Sequence, residues 1–279
     1  MRELERDHTD NATSEPALAG RVAVVGAGRA GGSIASAARA AGMEVQVGSR
    51  ELDPAGASIV LLCVPDDAIR EACEAAAPSL GPGTFVGHAS GATGLDALSS
   101  AADAGCETFS LHPLQTIPTG QTDLSGAPCA ASASSPQALA VARGLAVRLG
   151  MRPFDVPEEG RAAYHAAASM ASNFLIALEE SAAQLMKSAG VAEPRDVLAP
   201  LVLRTAANWA DAGASALTGP IARGDEKTVA LHLEALADRA PGLRPLYEAL
   251  AERTRELGKT PNERQELHAP PFGDASNTR

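Results

Sequence analysis

Val22-Ala23-Val24-Val25-Gly26-Ala27-Gly28-Arg29-Ala30-Gly31 decides how the chain begins. An apolar run of strand length leads directly into a G-x-G-x-x-G loop, and an Ala-rich stretch from Ala30 to Ala41 follows. Each glycine has a mechanical reason. Gly26 permits a tight turn, Gly28 lets backbone approach a pyrophosphate, and Gly31 lets helix and strand pack closely. Phosphates would rest on unpaired N–H groups at the positive end of the helix dipole. The glycine pattern alone is weak, and a Gly-rich turn that binds nothing also satisfies it. Set between an apolar strand and a helix, it predicts a dinucleotide-binding βαβ start. Gly26, Ala27, Gly28, Arg29, Ala30 and Gly31 are then the phosphate loop.

Working outward, short β-rich runs alternate with Ala-rich helical stretches up to Val156, which predicts βαβ units and a parallel sheet. The runs are 21–26, 44–48, 58–64, 84–87, 108–111, 128–131 and 152–156, with helices expected at 30–41, 66–77, 94–104 and 136–149. About ten residues separate the second run from the third. That span holds no crossover helix and further strand, so the first half of the dinucleotide fold is abbreviated.

After Pro157 the pattern turns helical. Residues 158–190 carry no Gly or Pro between Arg161 and Ala189, which predicts one long helix, and more helices follow at 193–212, 226–238 and 243–257. The expected class is α/β: an N-terminal Rossmann-like parallel-sheet domain (19–156), then an all-α domain (157–258). Residues 1–18 read as a disordered leader and 259–279 as a disordered tail.

Of 279 residues, 45% are hydrophobic and 3% aromatic, and about one in five is alanine, which suits closely packed small-residue helices. A formal charge of −11, with only three lysines, argues against nucleic acid and anionic membrane surfaces, which both need a basic face. No apolar run of transmembrane length occurs and no secretory signal opens the chain, so the expected location is the cytoplasm. Cys63, Cys73, Cys106 and Cys129 have neither C-x-x-C spacing nor an interleaved histidine pair. They read as small buried thiols, and no metal is expected.

Candidate functional residues lie at the ends of the predicted strands. The second run ends in Ser49-Arg50. A hydroxyl beside a guanidinium suits the 2′-phosphate of NADP better than the ribose of NAD, although Glu51 could serve a ribose. Val64-Pro65 closes the third run and is placed to line the nicotinamide side, while Asp66 and Asp67 read as helix-start acids. His88-Ala89-Ser90-Gly91 follows the fourth run, and Ser90 could hold substrate or cofactor; His88 suits a site or a core equally. His112-Pro113 stands where the chain leaves the fifth run, and His112 could give a proton to a carbonyl oxygen under reduction. His165, Ser169 and Asn173 recur four and four along the long helix, a polar row beside a Met170, Phe174, Leu178 stripe read as core. Arg223, in the Gly/Pro-broken stretch Thr218-Gly219-Pro220…Arg223-Gly224-Asp225, could clamp a carboxylate or pair with Asp225.

Together the strand–glycine loop, Val64-Pro65-Asp66, His88-Ala89-Ser90-Gly91, Leu111-His112-Pro113-Leu114-Gln115, Tyr164-His165…Asn173 and Thr218-Gly219-Pro220…Asp225 resemble the Rossmann-like oxidoreductases whose C-terminal half is a domain of unknown function. The resemblance spans residues 19–258. That family is similar to ketopantoate reductase, pyrroline-5-carboxylate reductase and prephenate dehydrogenase, with a helical half like the C-terminal domain of 6-phosphogluconate dehydrogenase. The resemblance implies a homodimer formed through the helical domain and catalysis in an interdomain cleft. Asn173 matches an asparagine of ketopantoate reductase, but Ser169 stands where that enzyme carries its proton-donating lysine. His112-Pro113 is similar to the His-Pro motif of prephenate dehydrogenases, which supports His112 as acid/base.

The expectation is an NADPH-dependent reductase of a small carbonyl substrate, such as a ketopantoate-like 2-oxo acid. His112 or His165 would supply the proton, and Ser90, Ser169, Asn173 and Arg223 would hold the substrate. The alternatives are an imine reductase, a prephenate-type dehydrogenase or a non-catalytic NADP-binding regulator.

Overall fold

The computed structural model describes residues 17–259. Seven strands form one sheet: β1 (Val22–Val25), β2 (Val45–Gly48), β3 (Ile59–Leu62), β4 (Phe85–His88), β5 (Glu107–Pro113), β6 (Pro128–Ala133) and β7 (Arg152–Asp155). Their order is β2-β1-β3-β4-β5-β6-β7. Every strand expected from the sequence is present.

Alternation within the strands builds two cores. Val22, Val24, Ile59 and Leu61 face one side of the sheet, with Ile34 and Ala38 of α1 (Arg29–Ala40) and Val141 and Leu145 of α4 (Pro136–Arg148). Ala23, Val25, Val60 and Leu62 face the other, with Ile69 and Ala72 of α2 (Ile69–Ala76) and Ala101 of α3 (Ser99–Asp103). Successive side chains of a strand point to opposite faces, so a sheet covered on both sides needs continuous apolar runs. Gly87 makes room on this sheet for Phe109, whose ring would lie 2.6 Å from a Cβ at that position.

The parallel sheet foreseen from the sequence needs one correction. β5 and β6 are antiparallel, while β6 and β7 are parallel again. No helix lies between Pro113 and Pro128, and a parallel return requires a crossover that this loop does not supply. Between β2 and β3 there is likewise no helix, as expected, and β3 pairs directly with β1. The direction of strand placement reverses between β1 and β3, the kind of position where open α/β sheets bind ligands.

Three further expectations change. Ala17 and Leu18, assigned to a disordered leader, are buried members of the core, and Leu18 packs where a Cβ on Gly144 would meet it at 2.6 Å; residues 1–16 and 260–279 of the expected leader and tail lie outside the described residues. The long helix is two helices, α5 (Arg161–Ala171) and α6 (Asn173–Ser188), divided at Ser172, whose φ −122° and ψ −77° leave the helical region. No Gly or Pro announces that break. Contacts divide the chain into two compact units between Ser172 and Asn173 rather than after Val156, because α5 is fastened to the sheet through Arg161.

The second unit contains α6, α7 (Pro194–Ala212), α8 (Glu226–Arg239) and α9 (Arg244–Gly258). Asp225 caps α8, accepting hydrogen bonds from the Thr228 N–H and hydroxyl at 3.1 and 2.7 Å, and these bonds hold its carboxyl below the usual range. The buried apolar residues described in this unit are Ala183, Val229, Leu236, Ala240 and Ala251. The stripe read as core is not core within the chain: Met170 and Phe174 are 66% and 61% exposed, and Leu178 is exposed as well. Among the described residues no helix is long and apolar enough to cross a membrane.

Candidate active site

The carboxyl ends of the parallel strands collect most of the candidates of the first unit. Gly26 follows β1 with φ 107°, and its N–H donates to the Gly48 carbonyl at 2.7 Å. A Cβ here would stand 2.5 Å from the Cys63 carbonyl oxygen, so the turn between β1 and β3 admits glycine alone. At Gly31 a Cβ would lie 1.9 Å from the Gly26 carbonyl oxygen. Gly28 is different, since a Cβ there meets nothing within 4 Å. Two glycines close the loop on itself and the third faces open space.

The start of α1 is electrically open, as are the starts of α3 and α9, which also lack a side-chain cap and a first-turn acid. Gly28 offers no side-chain cap and the first turn holds no acid. By contrast, Ser135 caps α4, and Asp66, Asp67 and Glu71 surround the start of α2. A helix that leaves its first N–H groups unpaired and its dipole unopposed is suited to an anion. Exposed Arg29 adds a positive charge at this end.

Ser49 and Arg50 lie beyond β2, exposed as a 2′-phosphate ligand pair requires. Arg50 makes a long 3.4 Å ion pair with Glu71, both partners well exposed. Such a pair is weak and exchanges readily for a phosphate. Val64 and Pro65 follow β3 immediately, and Asp66 lies close enough to raise the pKa of both His88 and His112.

His88 ends β4 and is fully buried. Its Nδ1 accepts the Ser90 N–H at 3.2 Å, which places the proton on Nε2. Burial, then the Arg161 charge, pushes its pKa down to about 4 against the Gly94 carbonyl, Glu158 and Asp66. His88 is thus a neutral core group. The Ser90 hydroxyl is occupied within its own turn, accepting the Ala92 and Thr93 N–H groups and donating to the Thr93 hydroxyl at 3.0 Å. That turn sets Gly91 against two imidazoles, where a Cβ would lie 2.8 Å from His112 Cε1 and from His165 Cδ2.

His112, near the end of β5, meets α5. Its Nδ1 is 2.6 Å from the Tyr164 hydroxyl, and the His165 ring stands edge-on with centroids 6.1 Å apart. Burial, followed by repulsion from His165, pushes the His112 pKa down to about 4, with Asp66 opposing and Arg161 assisting. Tyr164 is moved the other way, to about 12, by burial and then Cys129, against Arg161.

Arg161 brings these residues to the sheet. Its buried guanidinium donates to the Ser110 hydroxyl at 2.7 Å, to the Ser132 hydroxyl and to the Glu158 carboxylate. One charged group thereby ties the start of α5 to β5 and β6. Glu158 also accepts the Leu95 N–H at 3.0 Å. Burial raises its pKa, but Arg161 and these donors outweigh burial and hold the carboxyl below its ordinary value.

Two domain families match the chain: a Rossmann-like domain over residues 44–113 and the domain of unknown function DUF2520 over residues 127–254. The two matched stretches follow one another along the chain. No curated protein matches it. Among solved structures, a Bacteroides fragilis protein described as an NADP oxidoreductase is similar at TM-score 0.72 and 24% identity, over 86% of this chain and 99% of that one. A Thermotoga maritima protein follows at TM-score 0.68 and 22% identity, over 85% and 98%. A Streptomyces aurantiacus imine reductase reaches TM-score 0.65 at 17% identity, over 90% and 100%. At these identities the likeness establishes the fold.

In the structure His112 and His165 come together, and Ser169 lies one turn further along α5, half-buried. Asn173 opens α6 beyond the Ser172 break, and Arg223 stands in the loop before α8; both are exposed residues of the second unit. Tyr164 and Arg161 were not among the residues singled out for a site. Scarcity was the available signal for Tyr164. The chain has two tyrosines, and each hydroxyl meets a histidine Nδ1: Tyr164 with His112, and Tyr247 with His232 at 2.8 Å.

Proposed function

We propose that the protein is an NADPH-dependent oxidoreductase that reduces a small carbonyl compound, with a ketopantoate-like 2-oxo acid as the leading substrate class. The observation that carries this reading is an open, uncapped glycine loop and a His112–Tyr164–His165 cluster at the carboxyl ends of β1 and β5, which run in the same direction in one sheet. The residues fit a dinucleotide. Gly26–Gly31 and the α1 N–H groups would hold the pyrophosphate, Ser49 and Arg50 the 2′-phosphate, and Val64-Pro65 the nicotinamide side. Bound NADPH supplies a hydride. His112 with Tyr164 governs the proton that the reduced oxygen needs, a task that no lysine at position 169 can perform here. The ketopantoate-like class rests on the motif resemblance. The likeness to an imine reductase supports a C=N bond as the second reading.

We also propose a homodimer formed through the helical unit. Leu203 and Trp209 are 71% and 68% exposed in a unit with few buried apolar residues. Apolar surface on this scale marks an interaction face.

The test is NADPH oxidation by the purified protein against a panel of 2-oxo acids, including ketopantoate, and cyclic imines such as 1-pyrroline. Turnover of one member establishes the reductase and its class. Gly31→Ala should weaken NADPH binding by about 100-fold, since its Cβ would displace the loop that holds the phosphates. Unchanged NADPH affinity in that variant, or a wild-type protein that binds no NADPH, overturns the reading.

A further inference from the structure

Four parts of the first unit come together around Tyr164, His112 and His165. β5 brings His112, whose Nδ1 lies 2.6 Å away. α5 brings Tyr164 itself and, one residue later, His165. β7 brings Phe154, whose ring supports the tyrosine edge-on at 6.0 Å. The turn after β4 brings Gly91, which leaves the two imidazoles no side chain between them. Tyr164 meets His112 at 82° with centroids 5.7 Å apart, so the phenol is held by rings on two sides and by one hydrogen bond.

That bond limits what His112 can do. Its Nδ1 is engaged by Tyr164, and among the described residues Nε2 has no hydrogen-bond partner. A neutral imidazole has one N–H and one lone pair. When Nδ1 carries the proton and donates it to the tyrosine oxygen, the phenolic O–H is free to donate elsewhere, while Nε2 presents a lone pair.

We infer that Tyr164 is the residue that protonates the reduced substrate atom, with His112 recharging it by exchange between its two tautomers. This rests on the reductase reading above. Hydride from NADPH forms the new C–H bond, and the carbonyl π pair moves to oxygen. The Tyr164 O–H bond breaks and its proton forms the substrate O–H. The His112 Nδ1 proton then passes to the phenolate, and Nε2 takes a proton from water. The imidazole ends neutral in the other tautomer and the phenol is restored; loss of the Nε2 proton to water and uptake of one at Nδ1 then return the starting tautomer, so the net consumption is one hydride and one solvent proton.

The charges around the cluster favour this route over direct donation by an imidazolium. His112 faces Tyr164 and His165 of α5, Arg161 at the start of α5, and Asp66 after β3, and with its pKa near 4 it is uncharged at neutral pH. Tyr164, pushed up to about 12, keeps its proton there. Neither group changes charge between about pH 6 and 10.

The experiment compares wild type, Tyr164→Phe and His112→Ala on whichever panel member the wild type reduces. General acid catalysis contributes roughly 100- to 10,000-fold. Tyr164→Phe should lose at least about 100-fold in kcat, with KM for NADPH within about twofold. His112→Ala should lose less, because water can recharge the phenolate, and added imidazole should restore part of its rate. A merely structural Tyr164 would alter stability and KM without this kcat-specific loss. Tyr164→Phe retaining kcat while His112→Ala loses it makes His112 the donor and overturns the inference, leaving the reductase reading intact. A wild type that binds NADPH but reduces no panel member overturns the reading itself.

Discussion

The two units solve the burial of apolar surface differently. In the first, alternate residues of β1 and β3 enter two cores, and α1 and α4 cover one face while α2 and α3 cover the other. In the second, α6 to α9 bury chiefly alanine, valine and leucine at scattered points and leave Phe174, Leu203 and Trp209 outward. A large buried side chain contributes about 1.5–3 kcal/mol relative to exposure. The first unit obtains this within one chain, whereas the second has apolar faces available for another surface.

The largest expected effect tests the helical face. Leu203→Arg combined with Trp209→Arg should convert the proposed dimer to monomer at micromolar concentration, read by light scattering after size exclusion. A wild type that is already monomeric would break the comparison, because the helical unit would then be stable with its apolar residues in water.

Next in size is an acid response tied to the sheet. His88 is neutral in the folded state with a pKa near 4 and an ordinary value of 6.5. Between these values the unfolded chain binds a proton that the folded chain refuses, so stability falls as pH drops from about 6.5 to about 4 and levels off below. At about 1.4 kcal/mol per pKa unit, His88 alone accounts for on the order of 3 kcal/mol. Denaturant melts at pH 7 and pH 4.5 should show that loss, and His88→Asn should reduce the slope. An identical slope in the variant would remove His88 as the cause.

The smallest effect sharpens the contrast. Val147 of α4 is 60% exposed and stands on the first unit, apart in sequence from the Met170–Leu178 stripe. Val147→Glu should leave stability within about 0.5 kcal/mol and the oligomeric state unchanged. Dissociation in this variant would mean that the first unit also belongs to the interface.

Much of the first unit was legible because its signals are local. Runs such as Ile59-Val60-Leu61-Leu62 have no competing helical reading at that length, and the spacing of Gly26, Gly28 and Gly31 follows from the turn they make. Residues 161–188 were less legible. They lack Gly or Pro, so nothing local marked the division at Ser172. The stripe from Met170 to Leu178 carried the right period for a core helix, but periodicity does not say whether the covering surface lies in the same chain.

By itself the sequence determined the seven strands, most helices, the glycine turn after β1 and the candidacy of His112 and His165, because these depend on neighbours within a few residues. Only the tertiary structure decided that β6 runs antiparallel, that Arg161 fastens α5 to Ser110 and Ser132, and that Tyr164 meets His112 across a separation of 52 residues. Those contacts arise from how the sheet orders its strands, and that order is set by which faces can be buried together rather than by any local run of residues.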